Sequence, residues 1–293
     1  EADVAAMGKM LVPAMTSRGY PRRFALGLTA SSSLISPVMP PSIPAIVYAS
    51  VAAVSTAALF AAAVIPAFLI AAGLALYVFL WSRKQPQLAG RPSQPGEFRT
   101  AAVRVIGPLG APVLLLGGIL SGLFTPTEAA AVGVAYVLLL GLCYRRLTLR
   151  SLWGIVVETA TTAAAITLIL AASGLLGWVL ARERVPQDIA SFMLGFTDSP
   201  VVFLFLVSAV LILIGTVLEP IAALVITVPV LLPIATQFGV DPVHFGVLVI
   251  VNLMLGLLTP PIGGVLFVLG SATRTPMHEV FRGTAPFLLP LLA

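Results

Sequence analysis

The side chains best equipped for chemistry in this sequence are oxygens set beside breaks in apolar chain. Asn252 and Thr259 stand seven residues apart, and Thr259 runs directly into Pro260-Pro261. Seven residues is about two helical turns, which puts both on one face of a helix. Ser31-Ser32-Ser33, Ser36 and Ser42 flank a second pair, Pro40-Pro41. Hydroxyl and amide oxygens are hard ligands that suit a hard cation such as Na⁺. The same groups also join membrane helices to one another, and spacing alone does not choose between the two roles. A third place is Gly215-Thr216-Val217-Leu218-Glu219-Pro220. It reads either as the tip of a re-entrant hairpin, with carbonyls and the Thr216 hydroxyl facing an ion, or as an ordinary turn between two spans.

Other chemistry finds no foothold. There is no HExxH, no GxSxG and no P-loop, so nothing marks a metalloprotease, a serine hydrolase or an ATPase. His244 and His278 lie in polar connectors without neighbouring metal ligands, and no transition-metal site or cofactor is expected. The chain is therefore expected not to be an enzyme. Glu158 is an intramembrane carboxylate, a functional candidate by default, or else it sits at headgroup level near Arg150. Glu128 reads as a helix cap in Thr125-Pro126-Thr127-Glu128, a capping box with Pro at the first helical position.

The elements that carry these groups are apolar and long. Of 293 residues, 59% are hydrophobic and 9% charged, where a soluble domain has about 25% charged. Val54 to Trp81 and Trp153 to Leu180 are long enough to cross the roughly 30 Å hydrocarbon core as helix. Val103 to Leu123 and Ala129 to Tyr144 are further spans. Phe24 to Ser36 and Ala45 to Ala53 are two pieces separated by Pro37 to Pro44, where four prolines preclude continuous helix. Val201 to Leu218 and Ile221 to Gln237 meet at Glu219-Pro220. Phe245 to Leu258 and Val265 to Ser271 flank Thr259 to Gly264. Ser82 to Arg99 reads as a loop, Val185 to Gly195 as a short interfacial helix, and Thr275 to Gly283 as a polar connector. The sole cysteine, Cys143, allows no internal disulfide. Both ends look cut.

The net charge of +5 is not a nucleic-acid signature, because the cations lie in short loops between apolar spans. Placing the clusters at 18–23, 83–104, 145–150 and 274–282 on one side puts thirteen basic residues there and leaves only Arg182 and Arg184 opposite. That asymmetry marks the first side as cytoplasmic. Lys9 lies inside the first helix and stays outside the count.

A repeat runs at an offset of 220 residues: Leu11-Val12-Pro13 with Leu231-Leu232-Pro233, Gly19 with Gly239, and Pro40-Pro41 with Pro260-Pro261. Five crossings separate the two copies, so the second enters the membrane from the opposite side. Matched, Pro-interrupted apolar segments in two inverted halves point to a transporter's binding site, because irregular backbone at membrane depth survives only in protein or beside a cavity.

Gly118 to Ala131 (GILSGLFTPTEAAA), Asp241 to Gly246 (DPVHFG) and Asn252 to Gly263 (NLMLGLLTPPIG) are very similar to signatures of the large membrane subunit of tripartite ATP-independent periplasmic (TRAP) transporters. Pro40 to Pro44 fits the first-repeat equivalent, and the resemblance runs the whole length of the chain. It implies an all-α polytopic membrane protein with inverted-topology repeats, two re-entrant hairpins and two broken helices, working as an elevator. It implies Na⁺-coupled import of small organic acids, such as a C4-dicarboxylate or a sugar acid, in a bacterial or archaeal cytoplasmic membrane. The implied partners are a small four-helix membrane subunit and a soluble periplasmic substrate-binding protein. Carried onto this sequence, the cation ligands come from Ser32, Ser33, Ser36, Pro40 and Ser42, and from Gly215, Thr216, Glu219, Asn252, Gly256, Thr259 and Gly263. The organic anion falls to Pro41, Ser42, Pro220, Pro260 and Pro261.

By that resemblance, residues 1–53 form the first transport unit, beginning in the second arm of its hairpin. Residues 54–184 form scaffold spans, 185–272 the second transport unit, and 273–293 a connector and the start of a last helix. The sequence departs from the family near Ser33 and Ser36, where glycines are usual, and at Pro37, which is usually absent. The competing transport reading is an inverted-repeat anion/Na⁺ symporter that works without a binding protein. A channel would give current without saturable uptake, and a membrane enzyme or scaffold would need a catalytic constellation or a soluble domain.

Overall fold

The computed structural model describes residues 2–85, 88, 96–145, 147–184, 188–189, 191, 195, 197 and 199–292. Half of the expected loop at Ser82 to Arg99 and most of the short helix at Val185 to Gly195 lie outside the described residues; at the loop's edges Ser82 ends one helix and Glu97 opens the next. Among the described residues there are thirteen helices and no strand. They are α1 Ala2–Thr16, α2 Arg22–Ser32, α3 Ile35–Val38, α4 Ile43–Ala52, α5 Thr56–Ser82, α6 Glu97–Leu120 and α7 Pro126–Cys143. These are followed by α8 Leu149–Arg182, α9 Pro200–Gly215, α10 Pro220–Gln237, α11 Pro242–Gly256, α12 Gly264–Thr273 and α13 Met277–Leu292. Four stretches are long and apolar enough to cross a membrane: α5, α7, α10 and Leu149–Ala172 of α8. A fifth is the pair Arg22–Val38 and Ile43–Ala52, bent by 40°.

Prolines and polar caps set the helix boundaries. Pro126, Pro200, Pro220 and Pro242 open their helices at the first position, where a missing N–H costs nothing. Side chains of Ser42, Ser55, Thr125, Glu219 and Asp241 accept from first-turn amides, which satisfies donors the helix cannot. Thr125 and Glu128 form the full capping box.

Several boundaries differ from the sequence expectation. The first break is stepped: α2 ends at Ser32, α3 carries Pro37, and the chain breaks again around Pro40-Pro41 before Pro44 enters the first turn of α4. Only the middle of the expected Pro37–Pro44 gap is non-helical, because Pro37 and Pro44 lie early in their helices. The expected span to Leu123 stops at Leu120, where Ser121 and a left-handed Gly122 turn the chain. The expected polar connector at Thr275 to Gly283 is mostly helix. Val280, Thr284, Phe287 and Leu291 bury one stripe of α13 at helical spacing. Finally, α8 begins at Leu149 rather than Trp153, which places Glu158 in its third turn.

The chain divides into two compact units. One comprises residues 90–172. In it α6 and α7 lie against each other, and Tyr136 donates to the Gly107 carbonyl at 2.9 Å. Small residues let the two helices approach: Leu115 covers Gly133, and Tyr136 covers Gly110.

The other unit comprises 1–89 and 173–293 and contains both Pro-Pro segments. It also contains α5, which the sequence had grouped with the scaffold. Its helices pack crosswise. α1 lies on α2 and α12, while α10 lies on α11 and α4. α2 packs on α13 and α11 on α5; α4 meets α5 and α12 meets α13. Exchanging α1 with α10, α2 with α11, α4 with α12 and α5 with α13 reproduces this pattern. Local bonds match as well. Thr16 Oγ1 donates to Pro13 O at 3.0 Å, and Thr236 Oγ1 to Pro233 O at 2.8 Å. Tyr20 N bonds Met15 O, and Val240 N bonds Ala235 O. Gly19 and Gly239 are both left-handed, with φ of 88° and 74°, a conformation open to glycine without steric cost. Pro40-Pro41 and Pro260-Pro261 are both cis. One extra residue follows Pro261, so α4 and α12 match at an offset of 221. Each has ten residues, and each ends on a left-handed residue, Ala53 or Arg274.

Candidate functional site

The second hairpin and the second break meet through backbone. α9 ends at Gly215, and Thr216 to Glu219 form the tip before α10. Gly215 lies against α11 at Gly256. A Cβ on Gly215 would stand 2.7 Å from the Leu253 carbonyl oxygen, and one on Gly256 would stand 2.6 Å from the Gly215 backbone. No real side chain tolerates that approach, so both positions require glycine. Beyond the break, Gly263 N–H donates to the Thr216 carbonyl at 3.0 Å, and Gly263 is left-handed with φ 53°. Gly215, Thr216, Gly256 and Gly263 are thus brought together, and all four are buried. Thr216 Oγ1 donates to Leu213 O at 2.8 Å, which leaves its lone pairs as acceptors.

Asn252 lies one turn before Gly256 and is 8% exposed. Its Nδ2 donates to Leu248 O at 2.8 Å and to Ser208 Oγ of α9 at 3.2 Å. Both bonds use the nitrogen, so Oδ1 keeps its acceptor capacity. Ser208 did not stand out in the sequence, although it is the one polar side chain in the apolar run Val201 to Ile214.

Thr259 is not on the helix of Asn252, as its spacing had suggested. α11 ends at Gly256, and Leu257, Leu258 and Thr259 donate to carbonyls three residues back. The turn tightens because the residue before a proline is driven out of α conformation. Thr259 Oγ1 bonds Leu255 O at 2.9 Å. Glu219 is exposed, and its Oε2 accepts from Ala222 N at 3.0 Å as the cap of α10. Pro220 is buried at the start of α10, whereas Pro260 and Pro261 are exposed.

Around the first break, Ser42 is 2% exposed. It caps α4 through Ala45 N and donates to the Pro37 carbonyl, so it ties the two sides of the break together. Ser33 Oγ donates to Ala30 O at 2.6 Å and Ser32 Oγ to Thr29 O at 3.3 Å. Ser36 and Pro41 are exposed and Pro40 is buried. Ser31 Oγ is fully buried with no hydrogen-bond partner among the described residues, an unsatisfied group of the kind that calls for a ligand or water. α3 and α4 both pack on α11, which brings the first break to the helix that carries Asn252.

Two ties cross between the repeated segments. Tyr48 of α4 donates to Pro242 O of α11 at 2.6 Å. Arg22 of α2 donates to Thr273 O and Thr275 Oγ1, at 2.9 and 2.7 Å, at the end of α12. In both, the beginning of one broken helix holds the end of the other.

The family described as tripartite ATP-independent periplasmic transporter, DctM component, matches this chain over residues 1–293. The chain belongs to that family. Among DctM-family relatives, the sialic acid TRAP transporter large permease protein SiaM of Vibrio cholerae serotype O1 is 40% identical over 292 residues, covering 99% of this chain and 68% of SiaM. The C4-dicarboxylate TRAP transporter large permease protein DctM of Pseudomonas aeruginosa is 35% identical over 292 residues, with 99% and 68% covered. The isethionate TRAP transporter permease protein DctMQ of Oleidesulfovibrio alaskensis is 36% identical over 294 residues, with 100% of this chain and 46% of that protein covered. The chain therefore spans about two thirds of the separate large permeases and less than half of the longer permease. As a DctM-family chain with long apolar helices, it is a multi-pass membrane protein of a TRAP transporter.

Proposed function

We propose that this chain forms the translocating core of a Na⁺-coupled importer of small organic acids in the bacterial inner membrane. In this reading it takes substrate from a soluble periplasmic binding protein and works beside a small four-helix membrane subunit. The observation that carries the reading is the meeting of the α9–α10 tip with the second break, where Gly215, Thr216, Gly256 and Gly263 converge above Asn252. Carbonyl and amide oxygens on irregular backbone, enclosed by protein at membrane depth, suit a dehydrated hard cation. Family relatives named for sialic acid and C4-dicarboxylate transport support an organic acid as cargo.

The cation would bind at this second site and at the stepped break near Ser31 to Ser42. The anion would lie between the two breaks, held by hydroxyls and backbone amides near Pro41, Ser42, Pro220, Pro260 and Pro261. The crosswise packing of the matched segments supports an inverted repeat moving as one body, an elevator. The test is uptake of radiolabelled sialic acid or succinate into proteoliposomes holding the full-length transporter with its small subunit. Uptake that needs both an inward Na⁺ gradient and the binding protein is the expected result. Uptake without the binding protein would favour a stand-alone symporter instead.

A further inference from the structure

A cavity of about 260 Å³ opens between α1, α2 and the end of α12, at the ends of α2 and α12 opposite the two breaks. Three cations from three separate elements line it: Lys9 of α1, Arg22 of α2 and Arg274 just past α12. Thr16 and Thr273 line the same wall, and its described lining holds no carboxylate. Arg22 is held in place by its bonds to Thr273 O and Thr275 Oγ1 through one nitrogen. The rest of its guanidinium fork stays available, since the group carries five donors. Gly8 lets α1 close on Leu269 of α12, which brings Lys9 to the rim.

The described bonds of the fold do not use the charges of Lys9 and Arg274, whereas Arg22 also ties α2 to the end of α12. At the matched end of the other repeat, the positions of Lys9, Arg22 and Arg274 hold Pro229, Pro242 and Ala53. The surrounding bonds are retained there: Thr236 repeats the Thr16 contact with its proline carbonyl. A loop charge bias alone accounts for Arg22 and Arg274, but Lys9 lies in the middle of a helix. Three exposed cations line one cavity, and an anion bound among them would offset their mutual repulsion.

We propose that this cavity is a binding site for a phosphate group, presented by an anionic phospholipid at the inner leaflet or by free phosphate. A phosphate offers several acceptor oxygens to donors arriving from different directions, and Arg and Lys are the side chains that bind it. Arg22 and Arg274 belong to two of the basic clusters that the charge asymmetry of the sequence assigns to the cytoplasmic side, and basic pockets between membrane helices on that side take lipid headgroups. Occupancy would join α1 and α2 of the first repeat to α12 of the second. This inference does not depend on what the chain transports.

The test is binding of fluorescent phosphatidylglycerol, against phosphatidylcholine, to the purified full-length transporter in neutral detergent, with inorganic phosphate as competitor. The variant Lys9→Gln/Arg274→Gln is expected to weaken phosphatidylglycerol binding by about tenfold or more, since each cation near an anionic headgroup contributes about a factor of five. Arg83→Gln, an exposed cation outside the cavity, is expected to leave binding unchanged, and Lys9→Arg/Arg274→Lys to retain it. Displacement by inorganic phosphate, or binding of phosphate without the lipid, supports the site with a soluble source. Equal binding by wild type and the double Gln variant, or an equal loss in Arg83→Gln, overturns it.

Discussion

Gly256 lies so close to Gly215 that a methyl group on either would stand 2.6–2.7 Å from the other's backbone or the adjoining turn. The contact joins the hairpin tip to the second break. Gly215→Ala and Gly256→Ala are each expected to cost about 1–3 kcal/mol through overpacking and to lower uptake at least as severely as they lower stability. Gly154→Ala, in open space on α8, is expected to be neutral or stabilising by up to about 1 kcal/mol. Thermal unfolding of the three purified variants checks the order.

Asn252 and Ser208 share the one side-chain bond described between α9 and α11. Removing either side chain is expected to loosen the hairpin arm from the broken helix. A double-mutant cycle on Asn252→Ala and Ser208→Ala should give a coupling of about 0.6 kcal/mol, typical of interhelical bonds in membranes. Additive effects in that cycle would mean the bond contributes nothing.

These two relationships mark what the sequence could and could not tell. Caps and proline-opened helices were legible because they are local: Thr125 and Glu128 lie three residues apart and close on each other. The two Pro-Pro pairs were legible because proline removes a donor wherever it stands. Ser208 was not legible, because its partner is 44 residues away and no spacing rule reaches across two helices. Gly215 and Gly256 could be singled out by position, but not their mutual contact. Thr259 was misplaced because helical periodicity was extended into a turn that Pro260 tightens. The stepped first break was hidden for a related reason: Pro37 and Pro44 are tolerated near helix starts, so four prolines interrupt less helix than they seem to.

Tyr48 Oη holds the Pro242 carbonyl, and its ring covers Gly246. Tyr48→Phe keeps the ring and removes the hydroxyl. The expected loss is about 1 kcal/mol of stability with uptake retained. Gly246→Ala, which drives a methyl into that ring at 2.7–2.8 Å from Cδ1 and Cζ, is expected to be the more damaging. Unfolding midpoints with uptake rates separate the two.

Thr125 and Glu128 cap α7 in the unit of residues 90–172, outside the candidate site. Thr125→Ala is expected to cost about 1 kcal/mol as a lost cap. The Na⁺ dependence and substrate KM of the surviving protein should be unchanged, and a shift in either would give this turn a role beyond capping.

The most direct measurement is the Na⁺ concentration dependence of uptake in proteoliposomes, for wild type and Asn252→Ala. If Asn252 serves a cation site, the Na⁺ midpoint rises by about tenfold, equivalent to losing one ligand worth about 1.4 kcal/mol, while substrate KM at saturating Na⁺ stays near the wild-type value. An unchanged Na⁺ midpoint in a folded, active Asn252→Ala protein would contradict the account.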